Sequence, residues 1–132
     1  MEKQPDIFDV ILFEGSYSES IKYKGKLSFT LKSRTVEEVM KINMEVEAKD
    51  FKTQSASLDE QLFQHLSYAL TSYNGNDWSS MLPAQRGEKI KKLPSPVMQI
   101  LISEMTKFDK KVNDACQEGE ENFSETPGQK QE

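Results

Sequence analysis

His65 is the chain's single histidine. An imidazole titrates near neutral pH and can act as a base or a metal ligand. Zinc would need further His or Cys ligands at fixed spacing, and none stands near it. His65 also lies about 60° off the centre of an apolar stripe, at ~100° per helical residue. A half-buried boundary residue is the plainer reading. Cys116 is the single cysteine and has no histidine at fixed spacing, so it reads as an inert thiol and not as a nucleophile. Asn74-Gly75-Asn76-Asp77 gathers oxygen ligands but lacks the alternating acids and closing Glu of a calcium loop. The chain has no phosphate-cradling glycine loop, GxSxG or HExxH motif. The expectation is no catalytic residue, no metal and no cofactor, in a protein that is not an enzyme.

Three features suit binding better than catalysis. Lys22, Lys24, Lys26, Lys32 and Arg34 form a basic patch with no acid among them. It reads either as an anion, nucleic-acid or acidic-partner surface or as a solvated face whose lysines discourage edge pairing. It could also hold the chain's own acidic tail. Trp78, followed by Met81 and Leu82, is either a plug over the end of a helical bundle or a partner anchor. Phe123 is an isolated aromatic in a polar tail, a common form for a docking segment.

The elements that must position these residues follow from pattern. Ile7 to Phe13 is apolar, β-branched or aromatic, and closed by Gly15, which predicts a first strand, with a short docking helix as the alternative. Ser20 to Lys32 alternates as a hairpin. A three-residue loop, Lys24-Gly25-Lys26, would pair Tyr23 with Leu27 and Ile21 with Phe29, burying one face of both strands. Thr35-Val36-Glu37-Glu38 is a capping box opening a helix to about Ala48. Val36, Val39, Met40 and either Met44 or Ile42 and Val46 are expected inward, on a methionine-bearing surface suited to adaptable contacts. Ser57 to Tyr73 predicts the central helix, capped by Ser57 and Glu60, striped by Leu58, Leu62, Leu66, Ala69, Leu70 and Tyr73, and stopped by Asn74-Gly75. A short helix is expected over Pro83 to Lys92, weakened by Gly87. A long one starts at Ser95-Pro96 and runs to about Ala115.

The expected fold class is α+β: an N-terminal strand and β-hairpin, then a small bundle of three to four helices, then a disordered C-terminal tail. Residues 1–5 read as a flexible lead, 6–116 as a single domain and 117–132 as a disordered acidic tail. The 132 residues carry −5 overall, of which the tail holds −4. The remainder is nearly neutral, which disfavours nucleic acid as a general partner. No apolar run is long enough for a membrane span, and Met1-Glu2-Lys3-Gln4-Pro5 does not read as a signal peptide. One cysteine gives no sign of an oxidising compartment. A soluble, cytoplasmic-type protein is expected, and oligomerisation stays open.

Several stretches together resemble a known group. They are Phe29-Thr30-Leu31-Lys32-Ser33-Arg34-Thr35-Val36-Glu37-Glu38, Leu66 to Gly75 with its alanine-leucine and asparagine-glycine close, Leu93-Pro94-Ser95-Pro96-Val97 with Leu101 and Phe108, and the tail Glu121 to Pro127. Over about residues 26–127 the chain resembles the tail assembly chaperone and baseplate-hub-assembly proteins of tailed bacteriophages. Residues 7–13 have no counterpart in that pattern. The resemblance implies a non-catalytic role in the host cytoplasm, binding a phage tail or baseplate protein, such as a tape-measure protein, and keeping it soluble during assembly. Met40, Met44, Trp78 and Phe123 are the expected contacts. Two other roles remain open: a permanent structural part of the tail or baseplate, and an anion or nucleic-acid module using the basic hairpin.

Overall fold

The computed structural model describes residues 6–124, with side chains as far as Gln117. Asp6 starts the chain's first element by accepting the Phe8 backbone N–H on its side chain (3.1 Å). Gly15 ends it at φ 86°, donating to Ile11 O. These two caps make Ile7–Glu14 a helix, α1, where a strand was expected. Local capping decides the matter in a run too short for periodicity to arbitrate. Ile7 and Ile11, one turn apart, pack on the core, while Leu12 and Phe13 stay exposed.

The hairpin follows as β1 (Ser18–Tyr23) and β2 (Leu27–Lys32). Its register is the expected one: Ile21 opposes Phe29 and Tyr23 opposes Leu27. Lys24 and Gly25 both take positive φ in the three-residue loop, and Lys26 N–H returns to Tyr23 O. The capping box then forms as read: Thr35 Oγ1 accepts from Glu38 N, and Glu38 accepts from Thr35 N. Helix α2 spans Val36–Ala48.

The central helix, α3, departs from expectation at both ends. It spans Gln54–Ala69, and its cap is Thr53, which accepts from Ala56 N. Ser57 lies inside the helix, and Glu60 bonds Lys49 and Gln64 instead of closing a box. Leu70–Tyr73 leaves the helix as strand β3, which pairs antiparallel with β2. Asn74 (φ 50°) and Gly75 (φ 85°) form the two-residue turn to β4 (Asn76–Asp77). Positive φ at both central residues is the hairpin turn that Asn-Gly favours, not a helix stop. Leu66, Ala69 and Leu70 are core residues in either conformation, so the apolar stripe ran across the boundary unmarked.

The sheet order is β1-β2-β3-β4. A register shift between Thr30 and Leu31 leaves Thr71 without a partner on β2. Its carbonyl accepts from Trp78 N–H (2.8 Å), which folds the next loop back over the sheet. Helix α4 spans Pro83–Lys91. Gly87 lets it approach α3 closely, since a Cβ there would meet Ser67 Oγ at 3.1 Å and Phe63 at 3.2 Å.

Helix α5 starts at Ser95 and runs to Ser124. It continues eight residues into the segment expected to be disordered, through helix formers such as Gln117 and Glu118. Residues 1–5 and 125–132, expected to be flexible and disordered, lie outside the described residues. Phe29 and Leu31 of β2, Leu66 and Leu70, and Leu101, Met105 and Phe108 of α5 form the core between sheet and helices. Tyr17 stacks on Phe108 with centroids 5.9 Å apart. The class is mixed α+β as expected, with five helices among the described residues.

Candidate partner-binding surfaces

Helix α2 has two apolar faces. Ile42 and Val46 are buried against the rest of the domain. Val36, Met40 and Met44 follow one another at four-residue steps, each advancing only ~40° around the helix. They are 77%, 57% and 66% exposed. The expected inward placement of Val36 and Met40 is therefore wrong. Met40 and Ile42 point ~200° apart, and the core takes the Ile42 side. The outward stripe is a row of large apolar side chains with Glu37 and Glu47 within ~60° of Met40.

The basic patch divides. Lys22, Lys24 and Lys26 are exposed at the β1–β2 tip, with Lys24 Nζ 5.5 Å from the Tyr23 ring centroid. Lys32 is half-buried. Arg34 is not part of the surface: its side chain is 7% exposed and Nη2 donates to Asp109 Oδ2 of α5. Its Nη1 donates to Lys32 O (3.1 Å). The open face of the sheet is a hydroxyl ladder, Ser20 to Thr30 (3.2 Å) and Ser72 to Thr30 (2.8 Å). No aromatic ring stands in that ladder to stack a base.

Trp78 sits in the plug position of the two expected for it. It is 7% exposed and stacks on Tyr73, with centroids 5.6 Å apart. Behind it lies Arg86, a residue the sequence did not single out. Its Nε donates to Trp78 O (3.0 Å), Nη1 to Ser67 O and Tyr68 O (3.2 and 3.1 Å), and Nη2 to Ser79 O (3.3 Å). Burial pulls its pKa below the ordinary value, and Glu38 opposes that pull. No local pattern marks Arg86, because its four acceptors lie on two other segments. Phe123 lies on the last turns of α5, and its side chain is outside the described residues. Cys116 is half-buried and borders a surface depression with Phe8 and Asn113.

His65 is half-buried as expected. Its Nδ1 and the Nε of Arg34 are buried without a hydrogen-bond partner among the described protein atoms. Burial first, then the Arg34 charge, holds the imidazole below its ordinary value of 6.5, with Asp109 opposing. The folded chain thus binds a proton there less readily than the unfolded chain. The stability this contributes is complete above pH ~6.5 and drains away as pH falls toward the lowered folded value. In urea titrations, the midpoint of the wild-type chain is expected to fall more than that of His65→Gln between about pH 7.5 and 5.5. Equal falls would assign the acid sensitivity to other groups.

Among the described residues no three His, Cys, Asp or Glu side chains group to hold a metal ion. No described helix is long and apolar enough to cross a membrane. Compared with family models, curated proteins and solved structures, the chain finds no match.

Proposed function

We propose that this chain is a non-catalytic bacteriophage tail-assembly protein. It binds an apolar segment of a tape-measure-like tail or baseplate partner in the host bacterial cytoplasm and keeps that segment soluble until assembly. The observation that carries this reading is the outward Val36–Met40–Met44 stripe of α2. Large apolar side chains in a row on the solvent side of a capped helix have no role in this chain's own core. Methionines let such a stripe fit several segments, since the unbranched thioether adapts its shape. The sequence resemblance to phage tail-assembly proteins supplies the class of partner.

The test is co-purification with a tape-measure protein from the same genome. Met40→Asp combined with Met44→Asp is expected to weaken the complex at least tenfold, about 1.4 kcal/mol. Folding stability should fall by only about 1 kcal/mol, the helix-propensity and like-charge cost of two Asp in α2, because both side chains are outside the core. Undiminished binding by the double variant removes the stripe from the interface. Recovery of the protein from purified particles at fixed copy number would replace the transient role with a permanent structural one.

A further inference from the structure

The sheet has two unlike faces. Side chains alternate along a strand, so the register assigns each residue to one of them. Ile21, Tyr23, Leu27, Phe29 and Leu31 pack on the core. On the other face, Ser20, Thr30 and Ser72 form one row across three strands. Lys22 and Ser28 pair on one side of that row, Ser18 and Lys32 on the other. These residues are hydroxyls and lysines throughout, with no apolar side chain and no acid. Asp77, opposite Ser72 on the far edge strand, is the nearest acid in the register. Lys24 and Lys26 extend the face at the hairpin tip, so residues 20–32 carry +4. None of the four lysines enters an ion pair among the described residues.

Lysines and hydroxyls are side chains that contact phosphate oxygens. The hydroxyl row has a donor to spare. Ser72 Oγ donates to Thr30 Oγ1, and Thr30 and Ser20 share a second bond. A hydroxyl carries one O–H, so three hydroxyls in two bonds leave one hydrogen, on Ser20 or Thr30, to donate outward. Lys22 stands two residues along the same face, about 7 Å from Ser20. From Lys32 to Lys26 the positive charge runs over about 20 Å, at ~3.3 Å per residue. That length suits a chain of phosphates and exceeds a single one.

The composition separates the classes of anionic partner. A protein interface is built around an apolar core, and this face has none to offer. It also has no ring to stack a base, so its contacts go to the phosphate backbone. The chain's net charge of −5 acts from elsewhere. Helix α3, with α2 packed on it, lies behind the sheet's apolar face. The acids of both helices therefore face the lysines across the core. At 0.1 M salt the Debye length is about 10 Å, which leaves the near face's own charge to act.

We infer that the open sheet face binds the phosphodiester backbone of a nucleic acid through Lys22, Lys24, Lys26 and Lys32, without reading its sequence. This is independent of the tail-assembly reading and leaves the α2 stripe free.

Fluorescence anisotropy on the full chain tests it, with a labelled 20-nucleotide thymidine strand and a labelled 20-base-pair duplex as probes. Binding is expected at about 50 mM salt, with log K falling against log salt at a slope of about −3 for four neutralised phosphates. The tighter probe identifies strand or duplex as the source of the backbone. Lys22→Gln with Lys26→Gln should weaken binding at least tenfold and cut the slope by about half. Ser20→Ala with Thr30→Val should weaken binding about threefold at an unchanged slope, because hydroxyls carry no charge. An adenosine strand should match the thymidine strand within about threefold. The two lysines and Ser20 are exposed, so circular dichroism of the lysine variant should match wild type. No binding of either probe at about 50 mM salt, or a slope that ignores the lysine variant, would overturn the inference. Polyglutamate bound as tightly as either nucleic acid would overturn it in favour of an acidic protein.

Discussion

Arg86→Met is expected to lower folding stability by about 3–4 kcal/mol, read as the shift of the urea midpoint. The reason lies in how α3 ends. Its last carbonyls lose their intrahelical partners where the chain turns into β3 at Leu70. Arg86 supplies donors to two of them, Ser67 O and Tyr68 O, and to Trp78 O and Ser79 O in the returning loop. A cation beside a helix C-terminus also meets the negative end of the helix dipole. Met keeps most of the apolar volume, so the loss reports the four abandoned acceptors and not a large cavity. Arg86→Lys should recover less than half of it. Its ammonium is a compact point charge and lacks the flat fork that spans both segments. A loss below about 1 kcal/mol for Arg86→Met would mean that water replaces the guanidinium at little cost.

Trp78→Ala is expected to cost about 3–5 kcal/mol, the range for emptying a large aromatic from a core. Trp78→Phe should cost less, because it keeps a ring to stack on Tyr73. As the chain's single tryptophan, Trp78 reports directly on this site. Its emission should be blue-shifted in the folded chain, shift red on unfolding, and hold still when a partner binds. A stable Trp78→Ala variant whose partner affinity collapses would return Trp78 to the role of anchor.

Much of the fold was legible because the decisive interactions are local. The register of β1 with β2 followed from alternation and one glycine. The α2 capping box followed from four consecutive residues. Non-local pairing hid the rest. Leu70 to Tyr73 keep helical spacing with Leu66, and only the partner β2, forty residues earlier, makes them a strand. Asn74-Gly75 is itself a strong hairpin signal, but the stripe running into it outweighed that signal. For α1, Asp6 and Gly15 were both present as caps, yet seven apolar residues read equally as a strand. The candidate surfaces divide in the same way. Lys22, Lys24 and Lys26 lie exposed at the tip, where a local hairpin puts them. Arg34 left the patch because Asp109 lies 75 residues further on. Met40 and Met44 were singled out by residue type, while their direction depended on which face of α2 the core claimed. Arg86 was missed because each of its acceptors is a backbone carbonyl, which leaves no trace in residue identity.

The bond from Asn74 N to Ser28 O joins residues 46 apart and ties β3 to β2. This splits folding into two stages of different speed. The β1–β2 hairpin needs only its own turn and closes in about 1–10 μs. The sheet can widen only after a loop of about 46 residues is drawn shut, an entropic cost of about 3 kcal/mol before any constant term. Helices α2 and α3 occupy that span, and their packing against each other shortens the distance left to close. Until they pair, the β2 edge is unpaired and carries Phe29 and Leu31. Closing that loop is therefore the step that covers the strand edge bearing Phe29 and Leu31.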